Sequence, residues 1–429
     1  MKLRPQHLLW IVLGVVVLAG VDLVRRAGAL PLASDLEETC ALARAKRFDE
    51  AQARMSRYLE VFPDDPRGNL LMAQFSLDRP DPQPDLALRH LRRVRAGSAR
   101  EAAIVEFCAG KAHLLQRRHD LAEARWREAL RLDPTVPEAA WALLDLLELE
   151  DRLEEAQALG MWIHETEPEP RDRVRALLEL ARLDVDRVAP ESAVPIFHPL
   201  HLQHPEDLTL ALVAGRMLIR NSQLDEGIEI LRDAVRRHPE SARAWDAWLT
   251  GLVDSSRPEE FAREFGRLPR PLREHPRFAR HHGHAAEVRK DWPSAVRAYR
   301  LASAHEPSNK AVLNRLRTSL RIAGDLAEAG RADRRFRDVQ DALGQMRDAY
   351  TQARAIPTLG VLPHPEVYRR MADLRERVGR SDEALAWHRL VLRDAPGDPV
   401  SLAALERLKY DQKSAARQPP TRLSDIFQD

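Results

Sequence analysis

The chain has 429 residues, 44% of them hydrophobic and 31% charged, which is too apolar for a disordered polymer and long enough for two or three ordinary domains or one extended array. Sixty-seven basic residues stand against 66 acidic ones, a net charge of +1, so no global field draws the chain to nucleic acid or to an anionic surface, and no nucleic-acid partner is expected. Only seven of the basic residues are lysines; the Ala, Leu and Arg that crowd every segment favour helix and fit a GC-rich bacterial genome.

The first predicted element is Leu8 to Val24, LLWIVLGVVVLAGVDLV, with one charge, Asp22. As a helix it would extend about 26 Å, just enough to cross a bilayer. Lys2 and Arg4 precede it and Ala27-Gly28-Ala29 offers a small-residue cleavage site, so an uncleaved anchor, a cleaved secretory signal and a buried helix all compete. Arg25 and Arg26, lying where a cleavable signal carries neutral residues, favour the anchor. Val21 stands where a lipidated cysteine would have to be, which excludes a lipobox. The α-amine, Lys2 and Arg4 outweigh Arg25 and Arg26 followed by Asp35, Glu37 and Glu38, favouring the N-terminus inside and the bulk of the chain in a periplasm-like space, with the opposite topology as the alternative.

Beyond residue 30 a period of 34 organises the chain. Ala122, Trp126, Ala129 and Pro134 form its cleanest copy; Ala295, Tyr299, Ala302 and Pro307 repeat it, and Ala156 with Pro168 keeps the same step. Pro134 and Pro168 are 34 apart, as are Pro205 and Pro239. Gly110, Gly215 and Gly283 each stand twelve residues before the small residue at 122, 227 or 295. A helical pair explains this spacing, because small residues on both helices let the backbones approach and Pro ends the second helix. Leu224, Ile228, Leu231 and Val235 line one helical face.

These residues resemble the tetratricopeptide repeat, whose pattern carries Trp, Leu-Gly and Tyr on a first helix and Ala, Phe, Ala and Pro on a second. Trp245 occupies the first aromatic slot of its copy. Repeats are placed at Ala51, Ala87, Ala122, Ala156, Ala193, Gly227, Phe261, Ala295, Ala329 and Ala384. The resemblance implies an all-α, right-handed superhelix of about ten helix-turn-helix repeats behind one transmembrane helix. The expected organisation is an anchor at 1–30, a first array at 34–257, an irregular Pro-rich joint at 258–276, a second array at 277–410 and a disordered tail at 411–429. Pro195 and Pro199 are expected to break the helix of the Ala193 repeat, and Phe261 replaces a small anchor. The Pro-free run from Ala327 to Ala355 predicts one elongated helix, followed by a loop at Pro357–Pro365 and a closing helix from Pro399 to Leu408.

Chemistry is harder to find. No GxGxxG, Walker loop, GxSxG or HExxH occurs, so no catalytic residue, cofactor or enzyme activity is expected. Cys40 and Cys108, without a CxxC, read as small buried packing residues. His198, His201 and His204 are spaced like a metal cluster, but the first and last point about 240° apart on a helix and read as solvated surface. His281 and His284 could hold a weak metal, yet they flank the packing Gly283. The pairs Glu154-Glu155 and Glu259-Glu260 lie where second helices begin and complement their N-terminal dipoles.

A repeat array offers a concave wall of first-helix side chains. Helical spacing assigns to it Phe107 and Lys111, Trp141 and Asp145, Leu212 and Arg216, Arg243 and Asp246, Arg277, Arg280 and His284, then Asn314 and Arg321. The expected partner contacts are Phe107, Lys111, Trp141, Asp145, Arg216, Arg243, Arg280 and Asn314. Arg280 and Asn314 suggest the carboxylate clamp of some tetratricopeptide co-chaperones, although the full set does not match. The expected function is a membrane-anchored scaffold that binds a protein or peptide partner in an envelope assembly or secretion complex. The alternative is a cytoplasm-facing membrane adaptor, resembling bacterial lipopolysaccharide-assembly tetratricopeptide proteins but without their CxxC module. A repeat-fused transferase is a remote third reading, for no segment outside the array is long enough for a catalytic domain. A reporter active only in the periplasm, fused after Asp429, should be active; activity of a cytoplasm-only reporter at the same place would reverse the topology.

Overall fold

The computed structural model describes residues 33–150, 152–185, 189–358 and 365–415, and among these every regular element is helical. The expected anchor at Leu8–Val24 lies outside the described residues, as does 416–429 of the expected tail. Among the described residues no helix is long and apolar enough to cross a membrane. Internal contacts divide the chain into two units, one ending at Asp133 and one beginning at Pro134. The first contains α1 (Ala33–Arg44), α2 (Phe48–Val61), α3 (Pro66–Asp78), α4 (Pro84–Leu91), α5 (Ala99–Leu115) and α6 (His119–Leu132). The second begins with α7 (Pro137–Leu149), α8 (Leu153–Thr166), α9 (Pro170–Val185), α10 (Pro190–Gln203), α11 (Leu208–Arg220), α12 (Leu224–Arg237), α13 (Ala242–Asp254) and α14 (Pro258–Arg267). After a single turn, α15 (Arg270–Arg273), and a 3-10 turn at Pro276–Phe278, it continues with α16 (Ala279–Val288), α17 (Trp292–His305), α18 (Lys310–Ile322), α19 (Leu326–Thr358), α20 (Pro365–Arg377), α21 (Ser381–Asp394) and α22 (Pro399–Ala415).

Each of the ten anchor residues is the fourth residue of a helix, α2, α4, α6, α8, α10, α12, α14, α17, α19 and α21 in turn, and each is buried. Small size is required there because the preceding helix crosses within van der Waals reach. A Cβ added to Gly227 would lie 2.6 Å from the Gly215 carbonyl oxygen, so glycine faces glycine across this pair. At Gly283 the space a Cβ would take is filled by the Tyr299 ring, and at Gly110 by the Trp126 ring. The aromatic residue four positions after the anchor thus sits on the glycine of the first helix. Pro134, Pro168, Pro205, Pro239 and Pro307 all follow a second helix by two residues, where a residue without N–H cannot extend the ladder.

Among the described residues, the turns inside seven of the ten pairs carry a signal absent from the sequence reading. Lys46, Arg117, Ser222, Ser256, Lys290, Gly324 and Gly379 all have positive φ, between 54° and 87°, and each lies two residues before a second helix. Around Arg117, the Arg118 N–H donates to the His113 carbonyl and the Arg117 N–H to the Leu114 carbonyl, both at 2.9 Å. This 6→1 and 5→2 pair is a Schellman motif, which satisfies the last carbonyls of the first helix and reverses the chain in two residues. Five of the seven left-handed positions hold a side chain, at a local cost of about 1–2 kcal/mol each that hairpin packing outweighs. First helices begin differently, with the side chains of Asp65, Ser98, Asp207, Ser241 and Asn309 accepting from backbone N–H groups of the first turn.

Three expectations need correction. Helix α10 runs unbroken through Pro195 and Pro199. The two prolines are four apart and exposed, so the carbonyls they leave unpaired turn to water on the outer face of the helix. Helix α19 is elongated as expected, at 33 residues, but continues past Pro357 to Thr358. Helix α22 continues to Ala415, so the start of the expected disordered tail is helical. Phe261 is accommodated because α14 is short and the chain after it forms turns; its ring is fully buried, stacked on Phe265 and met edge-on by His284 at 4.6 Å.

Within the second unit the array folds back on itself. Helix α9 packs against α19 and α21. Arg347 Nη2 donates to the Val185 carbonyl at 2.9 Å. The fully buried Arg375 donates to Asp184 and Glu383, both at 2.6 Å, and to the Leu180 carbonyl. The close-approach account makes a paired prediction. Gly283→Ala drives a Cβ to 2.5 Å from the Tyr299 ring and should cost about 1–3 kcal/mol. Gly344, inside α19, has nothing within 4 Å of an added Cβ, so Gly344→Ala should stabilise by about 0.5–1 kcal/mol. Chemical-denaturant melts of both variants check this, and shifts of the same sign would contradict it.

Candidate partner-binding wall

The first helices of the second unit carry a ladder written in the period of 34. The Arg175 guanidinium lies 4.2 Å over the Trp141 ring. Arg182 pairs with Glu148, Arg243 Nη2 donates to Thr209 Oγ1 at 3.0 Å, and Arg280 Nη2 donates to both oxygens of Asp246 at 2.8 Å. Every one of these pairs joins residue n to residue n+34, because equivalent positions on successive first helices face each other. In the first unit Lys111 Nζ meets Asp78 Oδ1 at 2.5 Å by the same logic, one residue short of the period.

Around this ladder lies a buried ionic network. The Glu150 side chain, fully buried, receives Arg152, Arg243 and Thr209, while Arg216 donates to the Glu150 carbonyl. Arg152 and Arg277 share Glu155, the latter at 2.7 Å. Arg280 also reaches Glu306 with 3.2 Å contacts. Burial opposes the charge on Asp246, but Arg280 and then His281 outweigh it and hold the carboxyl well below its ordinary range. Burial likewise opposes the charge on Arg280, and Asp246, Glu306 and Glu154 more than offset it, raising its pKa. Burial lowers the His281 pKa even though its Nε2 lies 2.7 Å from Asp246 Oδ1. Since an ionised carboxylate only accepts, Nε2 carries the hydrogen of a neutral imidazole.

The residues proposed from sequence therefore divide. Arg216, Arg243 and Arg280, together with Arg277, are bound within the chain. Leu212 is buried in the core, and Phe107, in the first unit, packs against the cluster of Ala73, Leu77, Ala87 and Leu91. His284 faces Glu287 at 3.2 Å. Trp141 is half-buried under Arg175, and Asp145, one turn on, is exposed. Although Asp145 reaches solvent, the helices packed around it partly desolvate it, and that effect, followed by Glu148 and Glu179, raises its carboxyl above the ordinary value. Asn314 is exposed and accepts from Arg317 Nε at 2.8 Å, and Arg321 pairs with Asp333. Arg175 and Arg182 were missed by sequence reasoning, although adding 34 to Trp141 and Glu148 would have found both.

The histidines and carboxylates have local roles. His201 is buried, which corrects its reading as a solvated residue, whereas His198 meets Glu226 at 3.2 Å. His282 Nε2 faces the Arg273 carbonyl at 2.8 Å. Among the described residues no group of three His, Cys, Asp or Glu side chains is arranged to hold a metal. Glu154-Glu155 and Glu259-Glu260 lie in the first turns of α8 and α14. Cys108 is buried as expected, but Cys40 is only half-buried.

The tetratricopeptide repeat family model matches residues 107–161. No curated protein matches the chain. Among solved structures, the APC/C hetero-tetramer Cut9-Hcn1 is similar at 14% identity, covering 91% of this chain and 88% of that one, with a TM-score of 0.33. A tetratricopeptide repeat protein from Parabacteroides merdae is similar at 10% identity, covering 72% and 99%, with a TM-score of 0.29. The P58(IPK) TPR domain is similar at 17% identity, covering 90% and 99%, with a TM-score of 0.24. Likeness of this size says nothing about what this chain binds.

His281 yields a pH prediction. Its folded pKa lies below the ordinary value of 6.5, so below that pH the unfolded chain takes up the proton first. Its contribution to stability is full above about pH 6.5 and is lost as the pH falls from there through the folded value. An NMR titration should find His281 still neutral at pH 6.5, and an imidazolium formed above that pH would contradict the buried arrangement.

Proposed function

We propose that the protein is a membrane-tethered tetratricopeptide scaffold, non-catalytic, that holds a protein partner against the first-helix wall of its second unit. In this reading Leu8–Val24 anchors it in a bacterial cytoplasmic membrane, the bulk of the chain lies on the periplasmic side, and the partner belongs to an envelope assembly or secretion complex. Stacked helical pairs present extended side-chain walls suited to binding another chain.

The observation that carries this reading is the Trp141 patch. Most charges of the wall are consumed by the ladder, but Trp141 keeps part of its ring accessible, Arg175 covers it from an exposed position, and Asp145 is exposed beside them. Aromatic and arginine side chains with little left to satisfy internally are the types that dominate interface energy. Asp145, an exposed carboxylate that makes no hydrogen bond or ion pair with a described residue, offers a contact to a basic side chain on the partner.

Affinity capture from membranes followed by mass spectrometry identifies the partner, and variants then test the patch. Trp141→Ala should weaken binding by about 2 kcal/mol or more and leave the melting temperature nearly unchanged. Arg280→Ala should instead lose about 3–5 kcal/mol of stability, since Asp246 and Glu306 stay buried without their cation. A Trp141→Ala protein that melts far earlier yet captures the same partner would overturn the assignment.

A further inference from the structure

We propose that the cleft between the α8–α9 hairpin and α21 binds a small organic phosphate. The return of the array on itself leaves there a cavity of about 430 Å³, formed by residues more than 200 positions apart in the chain. Basic side chains gather on it from three helices: His164 near the end of α8, Arg173 in α9, and Arg389 and Arg393 one turn apart on α21. Their commitments differ. Arg393 is held by Asp394, at 2.9 Å through Nε, and Arg173 gives only its Nε, to the Glu167 carbonyl at 2.5 Å. Arg389 is exposed and makes no hydrogen bond or ion pair with any described residue. In a chain where most wall arginines are bound to carboxylates, two guanidinium forks here face a cavity instead.

Three features select the ligand. Planar guanidinium groups match the oxygens of a phosphate two at a time. The wall between them is apolar, made by Pro170, Ala386 and Leu390, which suits a carbon portion rather than a bare inorganic ion. Glu165 is the one acidic residue of the lining and disfavours a larger polyanion. His164 supplies a proton-linked contact. Its Nδ1 lies 2.9 Å from the Arg173 carbonyl, so Nδ1 carries hydrogen and Nε2 is the open atom. Burial, followed by the charges of Arg173 and Arg389, lowers its pKa; an anion between them reverses that charge effect and turns Nε2 into a third donor. A soluble phosphate monoester and the monoester headgroup of a phosphatidic acid share this chemistry.

Calorimetry on the full chain with phenyl phosphate and with inorganic phosphate tests the site, alongside sedimentation with vesicles containing phosphatidic acid. Phenyl phosphate should bind at least tenfold more tightly than inorganic phosphate, and the His164 titration should move upward when it binds. Arg389→Ala should weaken binding at least tenfold with an unchanged melting curve. Arg331→Ala, which removes an exposed charge from α19, should have no effect. Binding confined to the vesicles and lost in Arg389→Ala would assign the same oxyanion chemistry to a lipid headgroup. Equal weakening by Arg389→Ala and Arg331→Ala, a stationary His164, or no binding to either phosphate or to the vesicles would each overturn the proposal.

Discussion

The backbones of two helices must come close enough that the fourth residue of the second helix has almost no room for a side chain, and the rest of the architecture follows from that approach. It sets the choice of Ala or Gly at nine of the ten anchors. It places the ring of Trp126 or Tyr299 over a glycine on the first helix, and it requires a reversal short enough to bring the helices together. The left-handed residue of the Schellman turn provides that reversal at Ser222 and Lys290 as well as at Gly324 and Gly379. Side chains in an unfavourable backbone region persist there because tight helical packing is worth more than the local strain.

Once each hairpin is rigid, its outward features recur at the same step. Residues 34 apart on successive first helices stand opposite each other, and evolution of such a wall can either match them internally or leave them for a partner. In the second unit the charges are largely matched internally. Asp246 with Arg280 and Glu150 with Arg243 are pairs whose members would be costly to bury alone. The consequence for the proposed function is restrictive: a long wall rich in arginine offers few free arginines, so that in this reading recognition would concentrate at Trp141, Asp145 and Arg175.

The return of α9 onto α19 and α21 adds a second level of organisation. Arg375, fully buried between Asp184 and Glu383, holds that contact together, since separating the elements would leave a buried charge without its partner. The closure also creates the cationic cleft around Arg389, which no single repeat contains. Interfaces between distant repeats, rather than the repeats themselves, are where this array acquires features that a tandem copy of one hairpin would lack.

The sequence by itself determined the helical pairs, because their packing rules operate within one period and leave their mark on residue size: Ala122 and Gly227 must be small, and Pro134 and Pro239 must follow the helix end. The position of Trp141 on a first-helix face was legible for the same reason, through helical spacing alone, although the structure half-buries its ring under Arg175. Where a local rule depends on surroundings it failed, as at Pro195 and Pro199, which the helix tolerates because they face water, and at His201, which is buried. The pairing of the charges outside that 34-residue step was decided only by the tertiary structure. Arg277 meets Glu155 from 122 residues away and Arg375 meets Asp184 from 191, and a carboxylate's partner is selected by distance in space, which no local pattern of residue types encodes.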